Sequence, residues 1–201
     1  MPLPQAMVNM DRSRLALEGH EFFGTNPDKP VLLITGGSSG ARKLNEVVFA
    51  KIPDIVARGW QVLHLVGPAL PIPEGMPRGY VPLSYCRRMD LAYSVADLVV
   101  SRAGAATVSE LAIAGLPAIL VPYHVGNGEQ EKNARYLVDA GAAVMVRQKD
   151  FTGAYIDSVV LPLLDDAPRR EQMARLAKKQ AVSDAAERFA DMVVSAIPGG
   201  R

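Results

Sequence analysis

Val31-Leu32-Leu33-Ile34-Thr35-Gly36-Gly37-Ser38-Ser39-Gly40-Ala41 is the stretch that decides the fold of this 201-residue chain. Five apolar or β-branched residues run into a turn of glycine and serine, and a helical period starts just beyond it. A short apolar run closed by glycines reads as a buried strand, and the helix after it makes the pair the opening of a β-α-β unit. The pattern recurs at Leu98-Val99-Val100-Ser101, which leads through Arg102-Ala103 into Gly104-Ala105-Ala106-Thr107-Val108-Ser109-Glu110.

Apolar runs at 31–35, 61–66, 79–82, 97–100, 118–121 and 143–146 alternate with helical stretches near 41–58, 87–95, 105–114, 129–140, 152–164, 169–179 and 184–196. This alternation predicts an α/β fold, a mostly parallel Rossmann-like sheet with helices on both faces and ligands at the carboxyl ends of the strands. Pro53 is expected to break or kink the first helix, and Gly115-Leu116-Pro117 to stop the third. The five residues Pro68, Pro71, Pro73, Gly75 and Pro77 mark 67–78 as a loop. Ahead of the first strand, Asp11-Arg12 to Phe22-Phe23 reads as a helix and Gly24 to Pro30 as a turn, so 1–30 is a lead-in, 31–197 the domain and 198–201 a tail.

Composition narrows the function. A chain with 49% hydrophobic residues builds one sizeable core, and 22 basic against 21 acidic residues, a formal +1, argue against a nucleic-acid binder. The lone Cys86 forms no internal disulfide and suits a reducing compartment. No secretory signal or membrane span is visible, which makes the expected localisation cytoplasmic, with the membrane surface still open to it.

The two turns look like half of a nucleotide-sugar site. After Gly37 and around Ser38, small residues let backbone N–H groups approach an anion at the positive end of a helix, where a diphosphate fits. Glu110 lies about one turn inside the second helix, where an acceptor-only carboxylate takes two hydrogen bonds from a sugar diol. Each feature also has a plain reading. Gly-Gly-Ser-Ser-Gly-Ala is neither the dinucleotide G-x-G-x-x-G nor a P-loop with its lysine, and fits an ordinary connection as well as a phosphate site. Thr107 and Ser109 equally serve first-turn donors, and Glu110 the helix dipole. A third polar helix start, Gly126-Asn127-Gly128-Glu129-Gln130, follows a fifth strand, and three on one sheet edge favour a site.

From Val31 to about Ile197 the chain resembles the C-terminal half of the MurG family of N-acetylglucosaminyltransferases, in its actinobacterial form. The resemblance rests on Gly36 through Asn45, Met89 through Asp97, Arg102 through Glu110, Ala114-Gly115-Leu116-Pro117-Ala118 and Gly126 through Ala134. It implies the C-terminal domain of a GT-B glycosyltransferase, inverting and without metal or cofactor, that transfers N-acetylglucosamine from UDP-N-acetylglucosamine to undecaprenyl-diphospho-muramoyl-pentapeptide in peptidoglycan synthesis. By the same resemblance, Gly37, Ser38, Ala105 and Ala106 face the diphosphate, and the backbone of Tyr85 and Cys86 reads uracil. Glu110 holds the ribose, Glu129 and Gln130 meet the sugar hydroxyls, and Thr107 lies near the donor as well.

Departures accompany the match. Ser39 stands where the family commonly has glutamine, Ala103 where it has serine, and Pro4 where it has an arginine that reaches the donor. The family's N-terminal domain, with the acceptor site and a glycine-rich turn ending in histidine, has no counterpart before Met1. The resemblance therefore implies donor binding without turnover in this chain alone, and a separate N-terminal half as a partner; a stand-alone nucleotide-sugar-binding module or an inactive gene remnant is the alternative. His20, His64 and His124 lack any nucleophile or metal-ligand context and read as structural, Trp60 as a packing residue, and Arg87-Arg88 and Lys178-Lys179 as solvated pairs. The stretch 185–194 has the apolar spacing to pack back on an N-terminal domain.

Overall fold

A computed structural model of the chain describes residues 5–8, 10–37, 41–68, 70–123 and 127–181. Six strands, Val31–Thr35 (β1), Gln61–Leu65 (β2), Tyr80–Leu83 (β3), Leu98–Ser101 (β4), Ala118–Leu120 (β5) and Ala143–Met145 (β6), form one parallel sheet in the order β3-β2-β1-β4-β5-β6. This is the order of a doubly wound α/β fold. All five residues of β1 are buried, as expected of a central strand covered on both faces. Its side chains alternate between two cores: Val31 and Leu33 in one, Leu32 and Ile34 in the other.

The first core is closed by Arg12–Phe23 (α2, after a short turn α1 at Gln5–Val8), Met89–Val95 (α5), Ala105–Ala114 (α6) and Glu129–Asp139 (α7). The second is closed by Arg42–Phe49 (α3), Ile52–Ala57 (α4) and a helical run of Gly153–Tyr155 (α8), a π turn at Ile156–Val160 and Leu161–Asp165 (α9). Ala167–Lys179 (α10) serves both, through Ala177 and Met173. The expected break at Pro53 is a clean one: the proline sits in the first turn of α4, where its missing N–H costs nothing. The helix expected at 184–196 lies outside the described residues. Pro82 is accommodated because β3 is an edge strand.

The lead-in helix α2 is part of the domain. Asp11 caps it by accepting the N–H groups of Ser13 and Arg14, and Gly24 closes it in the left-handed region at φ 66°. Gly19 lets it lie directly on α5: a Cβ there would sit 2.6 Å from Val95 Cγ1 and 2.8 Å from Ser94 Oγ. Arg12 reaches over to donate to the carbonyls of Tyr93 and Ala96 at the end of α5.

Polar groups buried in the core are paired. His64, fully buried, has Nε2 3.1 Å from Asn45 Oδ1 and Nδ1 3.1 Å from the Tyr80 hydroxyl, while Asn45 Nδ2 donates to the Val66 carbonyl. That chain of donors fits a neutral ring, and burial holds the His64 pKa down to about 3. Trp60 packs, as expected, with the Arg170 guanidinium 4.8 Å over its ring. Lys178 is not simply solvated: its Nζ donates to the Ile113 carbonyl at the end of α6, which Gly115 closes at φ 62°. Arg88 pairs with Asp90 and Glu18. Among the described residues no helix is long and apolar enough to cross a membrane.

Candidate functional site

The sheet order reverses direction between β1 and β4. Thr35 and Ser101 are register partners at the ends of these strands. From there the chain leaves toward opposite faces, through Gly36-Gly37 to α3 on the second core and through Arg102-Ala103-Gly104 to α6 on the first. The two turns diverge from one switch point, the place where open α/β sheets bind ligands.

Both of the helices that follow start without a side-chain cap. Gly37 adopts φ +83°, which favours glycine, and its N–H donates to Thr35 Oγ1 at 3.3 Å. Ser38 lies outside the described residues. Helix α3 starts after Ala41, α6 after Gly104 and α7 after Gly128, and no side chain closes any of the three. Elsewhere Asp11, Thr152 and Asp166 cap α2, α8 and α10, while α4 and α5 also start without a side-chain cap. Uncapped first turns carry unpaired N–H donors at the positive helix end, which suits an anion. Ser109, read as a possible first-turn cap, instead donates back to the Ala105 carbonyl.

The β4–α6 turn is held by α7 and by the segments that follow β5 and β6. Gln130 Oε1 accepts the N–H of Ala103 at 3.3 Å and of Tyr123 at 2.9 Å, and Asn133 Nδ2 donates to the Ala103 carbonyl at 3.2 Å. Arg102, buried, donates to the Val121 carbonyl at 2.9 Å and to Gln148 Oε1 at 2.5 Å, with its guanidinium 5.3 Å from the Tyr123 ring centroid. The backbone of Ala103 is thus fixed on both its N–H and its carbonyl.

Glu110 sits half-buried in α6, and its Oε2 accepts the hydroxyl of Tyr93 at 2.9 Å. Burial pushes its pKa above the usual carboxylate range, and the Tyr93 hydrogen bond works against that rise. Cys86 is buried at the loop after β3, and burial raises its thiol pKa, whereas Tyr85 beside it is exposed. Ala105 and Glu129 are exposed, and Ala106, Thr107 and Gln130 are half-buried.

Every described candidate therefore lies at the carboxyl edge of the sheet: Gly37 after β1, Tyr85 and Cys86 after β3, Ala105, Ala106, Thr107 and Glu110 after β4, and Glu129 and Gln130 after β5. His20, bonded to Thr25, and His64 do not, and His124 lies outside the described residues. Sequence reasoning missed Tyr93, Arg102 and Asn133 as supports of the site. The three-residue spacing of Gln130 and Asn133 was the available signal, since it puts both on one face of α7.

The sequence profile of the glycosyltransferase family 28 C-terminal domain matches residues 31–189. The chain belongs to that family. A relative from Nocardioides sp. is 45% identical over 199 residues, covering 96% of this chain and 54% of the relative. Another, from Streptomyces coelicolor, is 43% identical over 202 residues, covering 98% and 55%. Both carry the name UDP-N-acetylglucosamine--N-acetylmuramyl-(pentapeptide) pyrophosphoryl-undecaprenol N-acetylglucosamine transferase. The crystal structure of Acinetobacter baumannii MurG superposes with a TM-score of 0.75 at 27% identity, covering 97% of this chain and 57% of that one. The calicheamicin glycosyltransferase CalG4, at 23% identity and a TM-score of 0.64 over 85% of this chain and 44% of its own, shares the fold. This family 28 domain is thus a Rossmann-like α/β domain of GT-B type, and it spans about half the length of the curated relatives it matches.

Proposed function

We propose that this domain binds the donor of a transferase that moves N-acetylglucosamine from UDP-N-acetylglucosamine to undecaprenyl-diphospho-muramoyl-pentapeptide, the lipid I to lipid II step of peptidoglycan synthesis. The observation that carries the reading is the β1–β4 switch point, with an uncapped helix start after each of the two strands and Glu110 about one turn inside the second. Family membership and the names of the relatives supply the substrate class.

In this reading the N–H groups after Gly37, with Ser38, and those at Ala105 and Ala106 hold the diphosphate. Charge grows on that group as the bond to the sugar breaks, and preorganised N–H donors at helix ends stabilise it there. Glu110 accepts from the ribose hydroxyls, and the backbone at Tyr85 and Cys86 reads uracil. Thr107 lies near the donor, and Glu129 and Gln130 meet the sugar; because the Gln130 carbonyl already serves Ala103 and Tyr123, its amide N–H groups are what it offers a hydroxyl oxygen. The base that takes the proton from the attacking acceptor hydroxyl, and the acceptor site, belong to the half of the relatives that this chain does not span. The place of work is the inner face of the plasma membrane, where a lipid-linked acceptor resides.

The test is reconstitution. The N-terminal half of the Nocardioides relative is added in trans with labelled UDP-N-acetylglucosamine and the lipid-linked acceptor. Sugar transfer that requires both halves supports the reading; no transfer from the pair under conditions where the full-length relative is active contradicts it.

A further inference from the structure

Tyr93 is among the largest fully buried side chains of the domain, with 1% of its surface exposed, yet its one polar side-chain atom is spent on a residue of the candidate site. Three contacts fix it. Its carbonyl accepts from Arg12 Nε at 3.1 Å, its helix α5 is pressed onto α2 at Gly19, and its hydroxyl donates to Glu110 Oε2 at 2.9 Å. It shares the first core with Cys86, in the loop that follows β3. Glu110 Oε1 has no partner among the described residues.

We propose that Tyr93 is a positioning residue for the donor, pinning one oxygen of Glu110 so that the carboxylate is held in a single orientation and its other oxygen is left for the ribose diol of a uridine nucleotide. This rests on the donor-binding reading above. A glutamate on a helix has three rotatable side-chain bonds, and fixing them before the ligand arrives removes an ordering cost from binding. The donor role is secure because burial keeps the phenol protonated, so it gives its hydrogen to the carboxylate at any working pH. The precision of the ribose contact then derives from the packing of α2 on α5, the helix that carries Tyr93.

The sign of the pH effect follows. The Tyr93 hydrogen bond favours the ionised form of Glu110 while burial disfavours it. Without the hydroxyl the carboxyl takes up its proton at higher pH, and a protonated carboxyl loses acceptor capacity toward the diol.

The test titrates UDP and 2′,3′-dideoxy-UDP into the full chain and its Tyr93→Phe variant across an acid pH series. Expected are about tenfold weaker UDP binding, the scale of one hydrogen bond to a charged group, an upward shift in the pH at which binding is lost, and no change for the dideoxy nucleotide. Unchanged UDP affinity with an unchanged pH midpoint overturns the proposal and leaves the donor-binding reading standing. Equal weakening of both nucleotides assigns Tyr93 a purely structural role and also overturns it. If the wild-type chain binds no UDP at all, the donor-binding reading falls and takes the proposal with it. Should the variant not fold, the wild type supplies the readout: the Tyr93 ring carbon bearing the hydroxyl, followed by NMR, must shift with the same pH midpoint at which UDP is lost. A flat Tyr93 signal across that midpoint overturns the proposal.

Discussion

Thr35 and Ser101 stand side by side as register partners in adjacent parallel strands, and the turns that follow them run to opposite faces of the sheet. That adjacency brings two ordinary strand-to-helix connections to one switch point, where open α/β sheets bind ligands. It also explains why Gly37 and Glu110, on separate β-α units, are candidates for one ligand.

Glu110 has a structural partner, so its replacements separate two effects. Glu110→Ala leaves the buried Tyr93 hydroxyl without its acceptor and is expected to cost about 1–3 kcal/mol of stability, besides weakening UDP binding by about 1.5–3 kcal/mol, the scale of hydrogen bonds to a charged group. Glu110→Gln keeps an acceptor for Tyr93 and is expected to retain stability while losing UDP affinity. Urea denaturation beside calorimetry distinguishes the two; a stable Glu110→Ala that binds UDP normally counts against the assignment.

Gln130 joins the β4–α6 turn to the segment after β5 through one carbonyl. Gln130→Ala removes both hydrogen bonds and is expected to destabilise the domain by about 1–3 kcal/mol, measured as a lowered urea midpoint at constant slope. Gln130→Glu keeps the acceptor oxygens and is expected to recover much of that loss.

The contact of α2 with α5 depends on Gly19. Gly19→Ala places a methyl 2.6 Å from Val95 Cγ1 and 3.0 Å from the Leu91 carbonyl. Backbone on one side and a packed core on the other leave little room to yield, so a loss of about 1–3 kcal/mol is expected. A Gly19→Ala protein as stable as wild type, by thermal unfolding, would show that α2 moves freely on the domain.

His64 makes stability depend on acid. Its folded pKa is about 3, against 6.5 for the ordinary residue. Between those values the unfolded chain binds a proton that the folded one excludes, so stability falls as pH drops through this window and levels off below it. The slope is up to about 1.4 kcal/mol per pH unit, or roughly 2 kcal/mol between about pH 7 and about pH 5. Subtracting a His64→Gln variant isolates this contribution from the carboxylates; identical pH profiles for the two proteins would contradict it.

Much of the fold was legible in the sequence because each strand is a compact apolar run ending in glycine, proline or a polar cluster. Val31–Thr35 and Ala105–Ala114 coincide with their expected spans, and the other described strands agree to within a residue or so at their ends. Local signals also placed α2, since Asp11 and Gly24 are standard cap residues. The supports of the site were not legible. Tyr93 reads as one more apolar residue on a helix, and only the sheet order brings α5 beside α6, so its bond to Glu110 has no sequence period to betray it. The Gln130 carbonyl is likewise spent on Ala103 and Tyr123 through tertiary contact, which a motif comparison does not reveal. Lys178 looked solvated for the same reason: its carbonyl partner, Ile113, is distant in the chain.

The central claim is that the β1–β4 switch point takes a uridine diphosphate sugar. Isothermal titration of the chain with UDP-N-acetylglucosamine, with UDP and with a nicotinamide dinucleotide tests it most directly. Saturable binding of the first two, weakened for both by a Glu110→Gln change that keeps an acceptor for Tyr93 and leaves the unfolding midpoint near wild type, and no binding of the dinucleotide, is the predicted result. Binding of the dinucleotide as tight as that of the uridine compounds, or no binding of any of the three, would contradict it.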